Sequence, residues 1–389
     1  MRPSLLAAAL ALAAPACARS AGTDNPGVTG AAILQLPMSA RAMGMGGAFT
    51  ALGTDASALY YNPAAMSRLN AHEVGFSMVS GQSSSVFDQT VENIAYAGPT
   101  PFTGISGNGY TSAGANILFS QNGTIEYNQL KPDGSLAGTQ SISAGDDFVG
   151  TLGYAERAGS TPIDFREASY GVNHFMGVAG KYIHSTLAGG YSAQAVAADI
   201  GYLAHSPEAG LSAGLAILNL GSKMKFVNEG DPLPLTGRWG LAYQFGVPSV
   251  HSFIAAADGE YRFYEKQALA DLGLEYFWQK SFGMRMGYQF LRNTLGLTMG
   301  FGLRWRGRVV FDYAWGMAGA LSDTQRFTVS YRFGGVTPAA RGRQRQPAQD
   351  TSPLQERLKI DEDNSPTIEL PPSRPLRRDR PQGVPGWIY

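Results

Sequence analysis

Five histidines, one cysteine and a short glycine run are the residues best suited to chemistry, and none of them completes a site. His72, His174, His184, His205 and His251 are scattered over separate segments. They show no i,i+2 or i,i+4 pair for a metal, and no motif joins them to a serine and an acid for nucleophilic hydrolysis. Cys17 is the single cysteine, so neither an intramolecular disulfide nor a thiolate metal site can form. Gly44-Met45-Gly46-Gly47 has the small residues of a phosphate-cradling loop. It lacks the preceding buried strand, the Lys-Ser/Thr follow-up and a ribose-binding acid. Asn122-Gly123-Thr124 matches a glycosylation sequon but reads as a tight turn. The chain therefore reads as no enzyme, with no cofactor and no metal.

Charged residues offer a second constellation. Asp199, Asp271, Glu275, Arg285, Arg304, Asp312, Arg326 and Arg332 recur between bulky apolar residues, on segments that would lie side by side. Charges facing a polar lumen cost far less than charges facing lipid. Such a lining either gates a solute or braces the wall by ion pairs across neighbouring strands, and bracing weighs more because several can pair.

The elements that must carry these charges follow from period-two alternation. Leu295, Leu297, Met299, Phe301, Leu303 and Trp305 alternate with small or polar residues. After Arg306-Gly307-Arg308 the pattern resumes with Val309, Phe311, Tyr313, Trp315 and Met317, and a third run sets Phe327, Val329, Tyr331 and Phe333 against Arg326, Thr328, Ser330 and Arg332. One face is too bulky for a solvated sheet, and the other holds glycines and charges that a packed core would reject. Lipid outside and a polar interior satisfy both faces in a transmembrane antiparallel β-barrel. Met284, Met286, Tyr288, Phe290 and Trp278 then belong to the lipid face and its interface girdles. Composition agrees: 44% of residues are hydrophobic, only 15% are charged and 49 are glycine. A formal net charge of zero gives no reason to expect nucleic acid.

Alternation and turn residues place strands at His72–Ser80, Glu92–Pro99, Ser112–Ser120, Asp147–Glu156, Asn173–His184, Tyr191–Leu203, Gly210–Asn219 and Thr236–Phe245. Further strands follow at Ser252–Phe263, Leu269–Trp278, Ser281–Phe290, Leu295–Trp305, Val309–Met317 and Arg326–Phe333. The class is all-β, with about 14 strands. An even count puts both chain ends on the periplasmic side. Short turns such as Gln279-Lys280 then face the periplasm, and the long connections Gln121–Asp146 and Leu220–Leu235 face outward. Arg157–Val172 is too long for this rule.

Four sections result. Residues 1–21 are a signal peptide, with Arg2 as its basic start, an apolar stretch from Leu5 to Ala14, and Ala16-Cys17-Ala18 as cleavage site; acylation of Cys17 is the alternative. Residues 22–70 form an N-terminal segment and 71–334 the barrel. Residues 335–389 are a periplasmic Pro- and Arg-rich tail without periodicity, which implies disorder. Its basic clusters suit anionic lipid or peptidoglycan, or a plain solvated linker, and Trp387-Ile388-Tyr389 could serve as a docking peptide. Asp55 is placed to cap a short helix over Ala56–Tyr60, which Asn62-Pro63 would end.

The block from Ser39 to Met66, with Gly44-Met45-Gly46-Gly47-Ala48-Phe49 and Tyr61-Asn62-Pro63-Ala64-Ala65, resembles the N-terminal signature of the PorV/PorQ family, relatives of the FadL long-chain fatty-acid channels. The likeness continues through Ala198-Asp199-Ile200-Gly201, Leu218-Asn219-Leu220-Gly221, Asp231-Pro232-Leu233-Pro234-Leu235, Gly273-Leu274-Glu275-Tyr276 and Tyr331-Arg332-Phe333-Gly334. It implies fourteen strands and an N-terminal hatch folded inward, carried by Gly44, Gly46, Gly47, Phe49, Asp55, Asn62 and Pro63. A periplasmic strap sealing the barrel base is the other arrangement. The resemblance implies an outer-membrane accessory of protein export or surface attachment, of the type IX secretion kind, with secreted proteins as partners. The alternative is a FadL-like channel for passive uptake of hydrophobic ligands. In either case the surroundings are outer-membrane lipid, and the Phe327–Phe333 strand looks like the signal read by the barrel-insertion machinery.

Overall fold

The computed structural model describes residues 27–80, 89–107, 110–165, 168–188, 190–247, 250–290, 296–317 and 323–335. The expected signal peptide with Cys17 and the tail from 336 on, including Trp387-Ile388-Tyr389, lie outside the described residues. Among the described residues fourteen antiparallel strands close into one barrel. They are β1 His72–Ser80, β2 Thr90–Pro99, β3 Thr111–Gln121, β4 Asp146–Phe165, β5 Ala168–Leu187, β6 Tyr191–Ser206 and β7 Leu211–Gly221. The circle continues with β8 Thr236–Val247, β9 His251–Arg262, β10 Gln267–Trp278, β11 Phe282–Phe290, β12 Leu297–Trp305, β13 Val309–Gly316 and β14 Thr324–Phe333. Closure comes from β1 on β14, with His72 opposite Phe333. Among the described residues no edge strand is left open in the closed barrel wall, which removes the unpaired backbone groups that lipid cannot satisfy.

Alternation decides which face each residue takes. Phe76, Ile94, Leu152, Val178, Leu274 and Phe301 are exposed on the outer surface. Their strand neighbours Ser77, Asn93, Thr151, Glu275 and Thr298 are buried inside. Met284 is 51% and Trp278 49% exposed, as residues of a lipid-facing surface must be in an isolated chain. No described helix is long and apolar enough to cross a membrane; spanning falls to the strands. Tight turns join strands at one end of the barrel: Gln279 and Lys280 adopt φ 47° and 58°, and Arg306 and Gly307 adopt 51° and 68°. Left-handed pairs of this kind match the twist of flanking strands. β1 begins and β14 ends at this same mouth.

Three connections differ from the sequence reading. β4 and β5 are continuous over Arg157–Val172, paired from Asp147↔Ser185 to Phe165↔Ala168 with an irregularity between Arg157 and Gly159. β3 follows β4 only to Glu156, and β6 follows β5 only from Asn173. The remainder is a two-stranded ribbon projecting past the rim. Gly159 and Pro162 look like strand breakers, yet such a ribbon tolerates proline because one side needs no donor. The long connection 121–146 carries its own hairpin, Thr124–Leu130 paired with Leu136–Ser143. Its tip is set by Asp133, whose carboxylate accepts the Ser135 N–H at 2.9 Å and hydroxyl at 2.6 Å. Those two bonds hold the Asp133 carboxyl below the usual range. In the connection 220–235, Met224-Lys225 pairs with Gly230-Asp231.

The core of the molecule lies in the lumen. Tyr61, Phe49, Met38, Met43, Met45, Leu59 and Met66, among the largest fully buried side chains, all belong to the segment before β1. Burying each contributes about 1.5–3 kcal/mol. Methionine suits this duty, since its flexible chain fills irregular gaps. The segment enters at the long-loop mouth, where the Gly30 N–H donates to the Pro232 carbonyl at 2.9 Å. It leaves at the tight-turn mouth to start β1. Helix α1, Ala40–Gly44, is capped by the Ser39 hydroxyl, which accepts from the Ala42 N–H. The second helix, α2, covers Ala58–Tyr61, two residues later than the sequence suggests at its start. Asp55 accepts instead from the Ser57 N–H at 3.1 Å and from its hydroxyl. Asn62 ends α2 and accepts the Ala64 N–H, which starts a 3-10 turn over Pro63–Arg68.

Candidate functional site

The filled lumen is the candidate site, and a chain of alternating charges holds the filling in place. Arg41 of α1 donates from Nη2 to Glu275 Oε2 at 2.6 Å and from Nε to Glu275 Oε1 at 2.9 Å. Its Nη1 reaches Asp55 at 3.1 Å and the Thr54 hydroxyl at 2.6 Å. On the wall, Arg285 donates to the same Glu275 at 2.5 Å and to Asp312 at 2.7 Å. The order Asp55, Arg41, Glu275, Arg285, Asp312 alternates in sign from segment to wall and across β10, β11 and β13. Each arginine offers a planar fork that a carboxylate can accept at two points.

Further contacts fix the rest of the segment. Asp258 of β9 accepts the Phe49 and Thr50 N–H groups at 2.9 and 2.8 Å. Arg238 of β8 donates to the Gly47 carbonyl at 3.0 Å, and Gln289 donates to the Gly46 carbonyl at 2.8 Å. Arg332 pairs with Glu73 at 2.6 Å and donates to the Thr54 carbonyl. Asn62 donates to the Thr50 and Tyr202 carbonyls. At the exit, Arg68 donates to the Leu52 carbonyl at 2.9 Å, and burial together with the Arg41 charge lowers its pKa to about 10. Replacing Asp258 with Ala is expected to leave two buried N–H groups without an acceptor, at a cost of roughly 1–3 kcal/mol each. Hydrogen exchange at Phe49 and Thr50 should then quicken by about tenfold or more; unchanged exchange at both amides would dismiss this anchor.

Backbone meets backbone where glycines line the wall. A Cβ on Gly287 would lie 2.1 Å from the Gly46 nitrogen, and one on Gly273 2.4 Å from the Met45 carbonyl oxygen. On the opposite side, a Cβ on Gly177 would lie 2.4 Å from the Ala64 nitrogen. Gly273 and Gly287 are cross-strand partners, as are Gly177 and Gly201.

Towards the long-loop mouth the inner wall turns apolar. Val79, Val91, Leu118, Val149, Ile183, Ala193 and Ala195 face inward and pack on Ile33, Leu34 and Met38. Barrel interiors are ordinarily polar. Here β1 to β6 present a hydrophobic surface that the chain covers with its own residues. The other wall is polar: Arg262 meets Glu260 at 2.7 Å and Glu265 at 3.3 Å, and Gln35 and Thr29 both donate to Glu265. Between segment and wall lie, among the described residues, cavities of about 20 Å³ beside Arg41 and Glu73 and about 30 Å³ beside Tyr61 and Arg238. Each has room for about one water.

Glu275, Arg285 and Asp312, expected in the lumen, come together. Asp199 lies apart with Lys181 at 2.8 Å, at a pairing irregularity between β6 and β7. Arg304 lies over the Phe277 ring at 4.4 Å, and Asp271 and Arg326 are buried. Gly44, Gly46, Gly47, Phe49, Asp55, Asn62 and Pro63 all lie inside the barrel, in the segment before β1. Arg41, Asp258, Arg238 and Glu73 were missed. Parity along β8 and β9 marks Arg238 and Asp258 as inward-facing. Arg41 carries no such signal, because its segment has no period. No described cluster of His, Cys, Asp and Glu could hold a metal.

A closed antiparallel barrel with an apolar exterior and a lumen filled by its own N-terminal segment has the fold of a plugged outer-membrane barrel. No family model and no curated protein matches the chain. Among solved structures, the toluene transporter TodX of Pseudomonas putida is similar at a TM-score of 0.50 with 13% identity, over 75% of this chain and 96% of that one. The toluene transporter TbuX of Ralstonia pickettii gives 0.49 at 12% identity, over 75% and 97%. A FadL homologue of Pseudomonas aeruginosa gives 0.40 at 10%, over 77% and 99%. At such identity the likeness to TodX speaks for the fold.

Proposed function

We propose that this chain is a non-enzymatic outer-membrane channel that admits small hydrophobic molecules when its N-terminal segment moves. The observation that carries the reading is the apolar inner wall near the long-loop mouth, covered by Ile33, Leu34 and Met38. A hydrophobic solute can replace those side chains there without leaving buried polar groups unpaired. A hydrophilic solute would find no hydrogen-bonding partner on that stretch of wall, and the groups of the polar wall opposite are already paired with one another. TodX, whose fold is similar, is described as a toluene transporter, which supports the same class of solute. The polar, ion-paired middle of the lumen is the barrier, and passage requires the segment to unseat.

Changing Ile33 and Leu34 together to Asp is expected to unseat the entry of the segment, since buried unpaired carboxylates cost several kcal/mol. Uptake of a hydrophobic fluorescent probe by vesicles carrying the protein should rise by about tenfold or more, because each 1.4 kcal/mol is a factor of ten. Uptake at the wild-type rate would sink the channel reading.

The second reading is an export or surface-attachment accessory of the PorV/PorQ kind. It is favoured by the resemblance of the Ser39–Met66 block and by the exposed hairpin Thr124–Ser143 at the long-loop mouth. In that case the seated segment is a permanent plug. Removing residues 124–143 would then release a co-purifying exported protein and leave probe uptake untouched.

A further inference from the structure

Three of the five histidines are set in one repeated arrangement on the outer surface at the tight-turn rim. His72 Nδ1 lies 2.9 Å from the Tyr96 hydroxyl, His174 Nδ1 2.6 Å from that of Tyr202, and His251 Nδ1 2.7 Å from that of Tyr276. The rings are near parallel in each pair, at 10°, 23° and 16°. The register is identical. Each tyrosine stands opposite the residue two beyond its histidine: Val74↔Tyr96, Met176↔Tyr202 and Phe253↔Tyr276. The histidines lie on β1, β5 and β9, every fourth strand, so the pairs are separate from one another around the barrel.

Such a pair always has a donor to spare. If the tyrosine donates to Nδ1, the Nε2–H remains. If Nδ1–H donates instead, the tyrosine keeps its own O–H. In the pair built on His174 the outer ring nitrogen is already engaged, because its Nε2 lies 2.7 Å from the Thr161 hydroxyl of the projecting ribbon. Neither His72 nor His251 has any such oxygen at Nε2 among the described residues. Both are flanked by aromatics at the interface level, His72 by Phe333 at 5.4 Å and His251 by its cross-strand partner Trp278.

We propose that His72 with Tyr96, and His251 with Tyr276, are binding sites for the phosphate of glycerophospholipids in the leaflet at the tight-turn rim. A phosphodiester offers acceptor oxygens only, which complements a pair that carries a free donor in either tautomer. The neighbouring aromatics suit the glycerol and upper acyl region, where amphipathic rings settle. The inference rests on the reading that the barrel spans the outer membrane with its tight turns inward.

Native mass spectrometry of the full-length protein in detergent, titrated separately with phosphatidylglycerol and with a phosphate-free galactolipid, tests it. The wild type should retain two more molecules of phosphatidylglycerol than of galactolipid. His72→Phe and His251→Phe should each lose one, with affinity at that site down by about tenfold, as for one hydrogen bond. The Gln variants keep a donor and should retain the lipid. His174→Phe should lose none, since Thr161 already occupies that ring nitrogen. Equal retention of both lipids, or equal loss in all three Phe variants, overturns the proposal. Folding of each variant is read from its heat-dependent gel mobility, and a variant that does not fold leaves the decision to its Gln counterpart and to the other site. Insertion into vesicles is scored separately. Failure to insert overturns the membrane reading, whereas insertion without headgroup preference overturns these sites alone.

Discussion

Arg41→Met is expected to release the N-terminal segment while the barrel stays closed. The side chain keeps its length and its stem packing but loses every bond to Glu275, Asp55 and Thr54. Glu275 is left with Arg285 alone, and Asp55 with Ser57. Breaking one partner of a buried pair costs about 3–5 kcal/mol, because the surviving charge stays desolvated. That cost falls on the seated state only: with the segment withdrawn, water reaches both carboxylates. The seated population should therefore fall relative to the unseated one by about 10²–10⁴-fold. A cysteine at Ala48, in a chain with Cys17 replaced by Ser, reports this by its rate of thiol labelling. Labelling should accelerate in Arg41→Met and less so in Arg41→Lys, which restores a charge without the planar fork. Wild-type labelling in the Met variant would show that the apolar packing alone seats the segment.

The barrel was legible because lipid and lumen impose opposite demands on alternate residues. Leu274, Glu275 and Tyr276 already say which way each points, and the even strand count follows from fourteen such stretches. What alternation does not encode is where a ladder stops. The ribbon beyond Glu156 continues because β4 and β5 need only each other there, so Gly159 and Pro162, which would interrupt a central strand, are harmless. The hairpin at Thr124–Ser143 is almost wholly exposed, and its few apolar residues, such as Ile125 opposite Ile142, make too short a period to announce it. Within the site, the wall charges were visible as inward-facing positions, but their partner was not. Arg41 lies 234 residues from Glu275 in a segment whose packing is irregular. The Tyr–His pairs escaped for a related reason: each joins residues brought together only by register, and separate histidines look scattered until the strands are aligned.

Gly287→Val separates the segment from the wall by volume instead of charge. Its Cβ would meet the Gly46 nitrogen at 2.1 Å and the Met45 carbonyl carbon at 2.4 Å, both backbone atoms that cannot swing aside. Gly46 cannot retreat by taking another conformation cheaply, since its φ of +70° already fits a tight course past the Leu272 carbonyl. Overpacking of this kind costs about 1–3 kcal/mol where side chains can yield, and more where only backbone stands in the way. The strand itself gains, because a β-branched residue favours extended backbone. The wall should therefore stay intact, with thiol labelling at position 48 faster by about tenfold or more. The double variant with Arg41→Met is the sharper measurement. Both changes penalise the same seated state, so once the segment is out neither has a second effect, and labelling should level off below the product of the two single increases. Full multiplicativity would mean that the charge chain and the glycine contact hold independent parts of the segment. Loss of heat-dependent gel mobility in Gly287→Val alone would mean that the segment is a structural core the barrel cannot close without, and a movable plug would then be untenable.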